Sequence, residues 1–200
     1  MISRGGSWSR PALVSALYLG LAAVALAWGT LRGQPSLWRA PSAAGREPYF
    51  WSGLAAGIGA GLGIVMLSRL AVRRMEWARA LHRDLRSLLH PLTDLEIVVL
   101  AGASSVGEEL FFRGALMPAL GIWASSAIFA LLHIGPKARY LPWTAASLVV
   151  GVLFSALFLW SGDLTGAIAA HFTVNFLNLR HLKKNLPDGA PEKPPRAPPA

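Results

Sequence analysis

Two adjacent carboxylates, Glu108 and Glu109, lie in an otherwise apolar run from Leu95 to Leu120, and Arg113 follows one helical turn after Glu109. Charges at membrane depth are costly unless they are paired or face a wet cavity, so this cluster predicts a functional site. Side chains four positions apart share a helix face, which predicts an ion pair between Glu109 and Arg113. Adjacent positions point about 100° apart on a helix, so Glu108 stays outside this pair. We therefore predict that Glu108 is a general base that takes a proton from water.

Two further polar pairs occupy later apolar segments with the same four-residue spacing. Phe129 precedes His133, which predicts that the phenyl ring packs against the imidazole and that His133 shares the attacking water with Glu108. His171 precedes Asn175, and together they offer N–H donors on one helix face. Such donors suit the oxyanion of a tetrahedral intermediate of peptide hydrolysis. We predict that these residues and the two glutamates form one catalytic centre.

Each residue also has a purely structural interpretation. A single histidine in a transmembrane helix often only bonds a neighbouring helix, and Asn175 can do the same. Glu109 with Arg113 is expected to support the fold rather than to react. The combination is more specific than its parts, because three successive helical regions carry it in order and few other ionisable groups lie between them.

The composition indicates a polytopic membrane protein. Of the 200 residues, 54% are hydrophobic and only 14% are charged, and stretches of about twenty apolar residues recur along the chain. We predict an all-α transmembrane bundle of about six spans. The predicted spans are 11–31, 49–67, 95–116, 122–133, 144–160 and 162–179. The absence of cysteine excludes disulfides, thiolate metal sites and a cysteine nucleophile.

The chain divides into three predicted parts. Residues 1–94 hold the first two spans and a basic connection, residues 95–184 form the catalytic core, and residues 185–200 are a Pro-rich tail predicted to be disordered. The connection from Ser68 to His90 interleaves arginines with apolar residues. This pattern predicts either an amphipathic helix in the lipid headgroup layer or a helical extension of the second span.

Glycines follow a regular pattern in the second span. Gly53, Gly57 and Gly61 recur every four residues and form a close-packing face. We interpret this face as general small-residue packing rather than as a specific dimer contact.

The net charge of +9 is concentrated near the ends of the apolar segments. Placing both termini in the cytoplasm puts most cations, including Lys137, Arg139 and Lys183, on one side, as the positive-inside rule requires. Arg32, Arg39 and Arg46 fall on the other side. The distribution predicts contact with the lipid bilayer and excludes nucleic acid as a partner.

Three motifs in this order resemble those of a known family. They are Glu108-Glu109-Leu-Phe-Phe-Arg113, Phe129-Ala-Leu-Leu-His133 and His171-Phe-Thr-Val-Asn175. They resemble the CAAX prenyl protease and bacteriocin-processing (CPBP or Abi) family of intramembrane endopeptidases, over residues 95–179. The resemblance implies a water-filled intramembrane cavity, with Glu108 as base, His133 activating water, and His171 with Asn175 stabilising the oxyanion.

The resemblance also implies a class of substrate and a location. The expected partner is a membrane-anchored protein cut near its terminal anchor, either a prenylated CAAX end or a carboxyl-terminal sorting segment. The expected location is the bacterial inner membrane. Because the family includes immunity proteins, a non-catalytic peptide-binding or bacteriocin-immunity protein is the alternative.

The sequence leaves the metal question open. Glu108, His133 and His171 form a His2Glu set, the ligand types of a catalytic zinc site. No histidine lies in a His-Glu-x-x-His helix, which would preset two ligands and a base on one face. We therefore favour a glutamate-dependent mechanism without a cofactor, with zinc as the alternative.

Overall fold

The computed structural model describes residues 10–45, 47–89 and 91–184, and the predicted tail of 185–200 lies outside them. The main elements are α1 (Arg10–Leu31), α2 (Phe50–Arg74), α3 (Glu76–Leu89), α4 (Asp94–Glu109), α5 (Met117–Leu131), α6 (Leu141–Ser161) and α7 (Thr165–Lys184). Within these described ranges, four stretches are long and apolar enough to cross a membrane: Ala12–Leu31, Phe50–Arg74, Asp94–Leu131 and Ala138–Ser161. The predicted all-α membrane bundle is confirmed.

A π-helical segment, Leu110–Leu116, joins α4 to α5. The stretch Asp94–Leu131 contains 38 residues, which is too long for one span, since a helix rises about 1.5 Å per residue and the hydrocarbon core is about 30 Å thick. The stretch is broken at Gly121, where φ is 82° and ψ is 171°, a backbone conformation that favours glycine. The predicted span 95–116 therefore ends in the π-helical segment. The chain then changes direction at Gly121, just before the predicted span 122–133.

Contacts at one end of the bundle bring the start of α4 beside the end of α7. Lys183 pairs with Asp94 at 2.8 Å, and the Arg86 guanidinium of α3 donates to the Lys183 carbonyl at 3.1 Å. The start of α4 is fixed by Thr93, whose hydroxyl accepts from the Glu96 amide in a capping box. This end of the bundle is called the basic end below.

The opposite end holds the connection between α1 and α2. Gln34 donates to the Gly114 carbonyl at 2.7 Å, and the Ala40 amide donates to the Gly162 carbonyl at 2.9 Å. The chain thus reaches this end after α4 and again after α6, and returns to the basic end in α5 and α7. This alternation matches the order of the six predicted apolar segments.

Residues 68–90 combine features of both predicted arrangements. Helix α2 extends to Arg74, beyond the predicted end of the second span. Met75 then adopts an extended backbone, with φ −120° and ψ 131°, and α3 begins at Glu76. The basic connection is therefore partly an extension of α2 and partly a separate helix.

The glycine face of α2 packs against α7 within the same chain. A Cβ built on Gly57 would lie 2.1 Å from the Gly166 carbonyl oxygen, and one on Gly61 would lie 2.7 Å from Thr173 Cβ. The glycines therefore serve intramolecular packing. Close contact between α2 and α7 fixes the helix that carries His171 and Asn175.

We expect Gly57→Ala to lower the stability of the protein by about 1–3 kcal/mol, the usual cost of forcing an extra methyl group into a packed site. The matched control is Gly59→Ala, two residues along the same helix, where an added Cβ would meet nothing within 4 Å. That control should be neutral or slightly stabilising, since alanine favours helix. Thermal unfolding in detergent measures both, and equal midpoints for the two variants would contradict the packing described for α2 and α7.

Candidate active site

The predicted ion pair between Glu109 and Arg113 is present and fully buried. Arg113 Nη1 donates to Glu109 Oε1 at 3.0 Å, and the two side chains are 1% and 0% exposed. Arg113 Nη2 donates to the Gly151 carbonyl of α6 at 3.0 Å. The guanidinium carbon lies 4.7 Å from the centre of the Phe129 ring. Arg113 therefore connects the π-helical segment to α6 by a hydrogen bond and to α5 by stacking of its planar guanidinium on the Phe129 ring.

His171 lies between the two adjacent glutamates. Its Nδ1 is 2.7 Å from Glu109 Oε1, and its Nε2 is 4.0 Å from Glu108 Oε2. An ionised carboxylate can only accept, so Nδ1 carries the hydrogen in the contact with Glu109. Glu109 thus orients the imidazole, a role that the sequence analysis did not assign to it.

Glu108 is buried, but its carboxylate does not form the direct ion pair that Glu109 forms with Arg113. Its side chain is 11% exposed, and Oε2 is buried without a hydrogen-bond partner. The 4.0 Å to His171 Nε2 exceeds a direct hydrogen bond and suits two groups that bind the same water. The Tyr18 side chain of α1 also interacts with the Glu108 carboxylate. Glu108 therefore has the free oxygen that a general base needs.

Phe129 lies between the two histidines. Its ring centre is 4.5 Å from that of His133, as predicted, and 6.3 Å from that of His171. His133 Nδ1 donates to the Phe129 carbonyl oxygen at 2.8 Å. The described contacts of His133 are therefore with Phe129, Trp143 and Thr144, whereas His171 lies 4.0 Å from Glu108.

Asn175 lies one turn beyond His171 and contacts α4. Its Nδ2 donates to Ser104 Oγ at 2.8 Å, and Ser104 Oγ donates to the Ala101 carbonyl at 3.2 Å. Ser104 in turn lies one turn before Glu108. Helices α4 and α7 therefore face each other through two successive pairs, Glu108 with His171 and Ser104 with Asn175.

The loop after His133 is held against α3 at the basic end. Asp84 of α3 accepts from the Tyr140 hydroxyl and from Lys137 Nζ at 3.0 Å. The Tyr140 hydrogen bond, followed by that of Lys137, lowers the pKa of Asp84 to about 2. Because Thr144 also donates to the His133 carbonyl at 3.0 Å, the end of α5 is anchored from both sides.

The predicted His2Glu set is not assembled in this arrangement. Among residues 10–45, 47–89 and 91–184, no three His, Asp or Glu side chains are grouped closely enough to hold a metal ion. Glu108 and His171 face each other at 4.0 Å, whereas the His133 ring packs against Phe129. The three residues therefore do not fit a zinc site as they stand.

Residues 91–177 match the family model described as type II CAAX prenyl endopeptidase Rce1-like. This part of the chain is similar to the Rce1-like family. The Rce1-like region extends from just before α4 into α7, and it contains every residue that the sequence analysis placed at the site: Glu108, Glu109, Arg113, Phe129, His133, His171 and Asn175. The match agrees with the resemblance to the CPBP family that the three motifs indicated.

One curated relative is similar over part of its length. The uncharacterized protein YpbD of Bacillus subtilis (strain 168) is 33% identical over 82 residues, which are 40% of this chain and 41% of that protein. The chain thus covers less than half of that relative. No solved structure is significantly similar to this chain.

The sequence analysis missed two residues that touch the site. Ser104 lies in the Rce1-like region, and its position four residues before Glu108 could have indicated a polar group on the same helix face. Tyr18 lies outside this region, and nothing in the pattern of α1 distinguishes it from an ordinary tyrosine in an apolar span.

Proposed function

We propose that this protein is an intramembrane endopeptidase that hydrolyses a peptide bond near the terminal anchor of a membrane-tethered protein. One observation carries the proposal. A buried chain of polar side chains, Arg113, Glu109 and His171, ends beside Glu108, whose Oε2 has no hydrogen-bond partner. Such a cluster in an apolar bundle is costly to keep, which argues for a function.

Glu108 starts the reaction by removing a proton from the attacking water. The water oxygen bonds to the scissile carbonyl carbon, and the electron pair of the carbonyl double bond moves to its oxygen. The proton then rests on Glu108. When the tetrahedral intermediate collapses, the carbon–nitrogen bond breaks and Glu108 gives this proton to the leaving amine. The products are a carboxylic acid and a free amine, and the base is restored.

His171 and Asn175 stabilise the oxyanion in this proposal. Because His171 Nδ1–H is donated to Glu109, His171 can donate from Nε2 only when both ring nitrogens carry hydrogens. The Glu109 carboxylate fixes the orientation of the ring through this hydrogen bond. Glu109 therefore acts through His171 in addition to pairing with Arg113.

His133 is proposed as a second group that orients the water. Its Nδ1–H is donated to the Phe129 carbonyl, so in the neutral ring Nε2 is the nitrogen that can accept a hydrogen bond. Since His133 is only half-buried, it can meet water or substrate entering from the basic end.

The substrate must bring its peptide bond into the bundle, so it is tethered to the membrane by a lipid or by an apolar segment. The two candidates are a prenylated CAAX end and a carboxyl-terminal sorting segment, of which we favour the second in a bacterial inner membrane. The contacts of Asp84 with Lys137 and of Asp94 with Lys183 gather cations at the basic end. This grouping supports a cytoplasmic basic end under the positive-inside rule.

The test compares membrane proteomes of a parent strain, a deletion strain and a strain that carries Glu108→Gln. Anchored proteins should keep their terminal segments in both altered strains, and mass spectrometry of terminal peptides would identify them. A different result would favour a non-catalytic immunity protein. In that case both proteomes match the parent, while bacteriocin sensitivity changes only in the deletion strain.

We expect the active protein to work without a bound metal, because the candidate ligands do not converge. Elemental analysis of purified active protein should find far less than one equivalent of zinc per chain, and a strong chelator should leave cleavage unchanged. Stoichiometric metal whose removal abolishes cleavage and whose return restores it would instead make Glu108, His133 and His171 ligands.

A further inference from the structure

The hydrogen bond between Ser104 and Asn175 joins α4 to α7 about one turn from the contacts of His171 with Glu108 and Glu109. Ser104 is buried, at 5% exposure, and its oxygen lies 2.8 Å from Asn175 Nδ2. We propose that Ser104 is a positioning residue that fixes the Asn175 amide for oxyanion stabilisation. This inference rests on the proposed endopeptidase function.

The hydrogen bonds of Ser104 determine which end of the amide it meets. A serine hydroxyl has one hydrogen, and Ser104 gives it to the Ala101 carbonyl. Ser104 can therefore only accept from Asn175, which must present its NH2 group rather than its carbonyl oxygen. The orientation of the amide follows from this bonding pattern alone.

An oriented amide is what the proposed chemistry requires. The NH2 group of Asn175 has two hydrogens, and Ser104 binds one of them, so the plane of the amide is held and the second hydrogen stays available. An oxyanion needs donors that are already oriented before charge develops on the oxygen. Without Ser104 the amide can rotate or present its oxygen, which would repel the developing charge.

The neighbouring residue provides a matched control. Ser105 is also buried, at 0% exposure, and its hydroxyl likewise donates to the carbonyl three residues earlier, that of Gly102, at 3.1 Å. It differs from Ser104 in pointing away from Asn175, because adjacent helical positions are about 100° apart. Loss of a buried hydroxyl from α4 is thus common to both variants, and only Ser104→Ala removes the contact to Asn175.

The experiment measures cleavage of a membrane-tethered peptide substrate by purified protein in detergent. Ser104→Ala should lower kcat by about tenfold with little change in KM, since misorientation of a donor weakens the transition state more than the bound substrate. Ser104→Thr, which keeps the hydroxyl, should restore most of kcat, and Ser105→Ala should resemble the natural protein. In an Asn175→Ala background, Ser104→Ala should cause no further loss of kcat. Thermal unfolding of each variant verifies that it is folded.

The outcomes separate this inference from the function on which it rests. Cleavage that depends on Glu108 but is unchanged in Ser104→Ala would overturn only the positioning role. Losses from Ser104→Ala and Asn175→Ala that multiply would also overturn it, because Ser104 would then act independently of Asn175. Absence of any Glu108-dependent cleavage would overturn the endopeptidase function itself and the role of Ser104 with it.

Discussion

Replacement of Glu108 by glutamine should reduce peptide cleavage by about 10²–10⁴-fold, the usual contribution of a general base. Glutamine has nearly the same size and shape but cannot take the proton from water. The fold should be retained, because Glu108 Oε2 has no hydrogen-bond partner and the glutamine carbonyl oxygen can still accept from the Tyr18 hydroxyl. Cleavage of a tethered substrate by purified protein measures the effect, and thermal unfolding in detergent verifies the fold.

Glu47→Gln is the control for the Glu108 experiment. Glu47 is an exposed carboxylate, 92% accessible, that pairs with Arg39 on the same connection between α1 and α2. The same chemical change at this position should leave cleavage unaltered. If Glu108→Gln cleaves as well as Glu47→Gln, Glu108 is not the base and the proposed mechanism is wrong.

Removal of either partner of the buried pair should cost about 3–5 kcal/mol of stability, because the remaining charge is left buried without compensation. Glu109→Ala leaves Arg113 with the Gly151 carbonyl and removes the carboxylate that orients His171. Arg113→Ala leaves Glu109 with His171 as its contact. We expect both variants to yield much less folded protein in detergent, measured by size-exclusion chromatography and thermal unfolding.

The exposed pair between Arg39 and Glu47 is the matched control for the buried one. Its side chains are 48% and 92% accessible, and exposed pairs contribute only about 0–1 kcal/mol. Glu47→Ala should therefore barely change the unfolding midpoint. If Glu109→Ala or Arg113→Ala is as stable as this control but inactive, the residue concerned belongs to the reacting centre.

Contacts within one helix could be predicted from the sequence, because helical geometry is local. The spacing of Glu109 with Arg113 and of Phe129 with His133 was sufficient, and both contacts are present. The start of α4 at Thr93 also follows from local capping chemistry.

Contacts between helices could not be predicted, since they depend on how each helix is rotated about its axis. The spacing of His171 along α7 does not show that its Nδ1 meets Glu109 rather than Glu108. The π-helical segment, Leu110–Leu116, changes the direction in which the side chains after it point. No residue type within the segment predicts this change from the sequence. The sequence analysis therefore proposed the residues of the site, but the contacts of His171 with Glu108 and Glu109 became visible only in the structure.

Helix α1 has a consequence for exchanging parts between related proteins. A Cβ on Gly107 would lie 2.8 Å from the Tyr18 carbonyl oxygen. Gly107, which precedes Glu108, therefore packs directly against the backbone of α1. That helix is outside residues 91–177, the segment that the family model matches. A chimera that receives only the matched segment would present Glu108 to a foreign helix or to lipid. A transplanted α4–α7 core should therefore carry α1 with it, together with α2, which packs against α7.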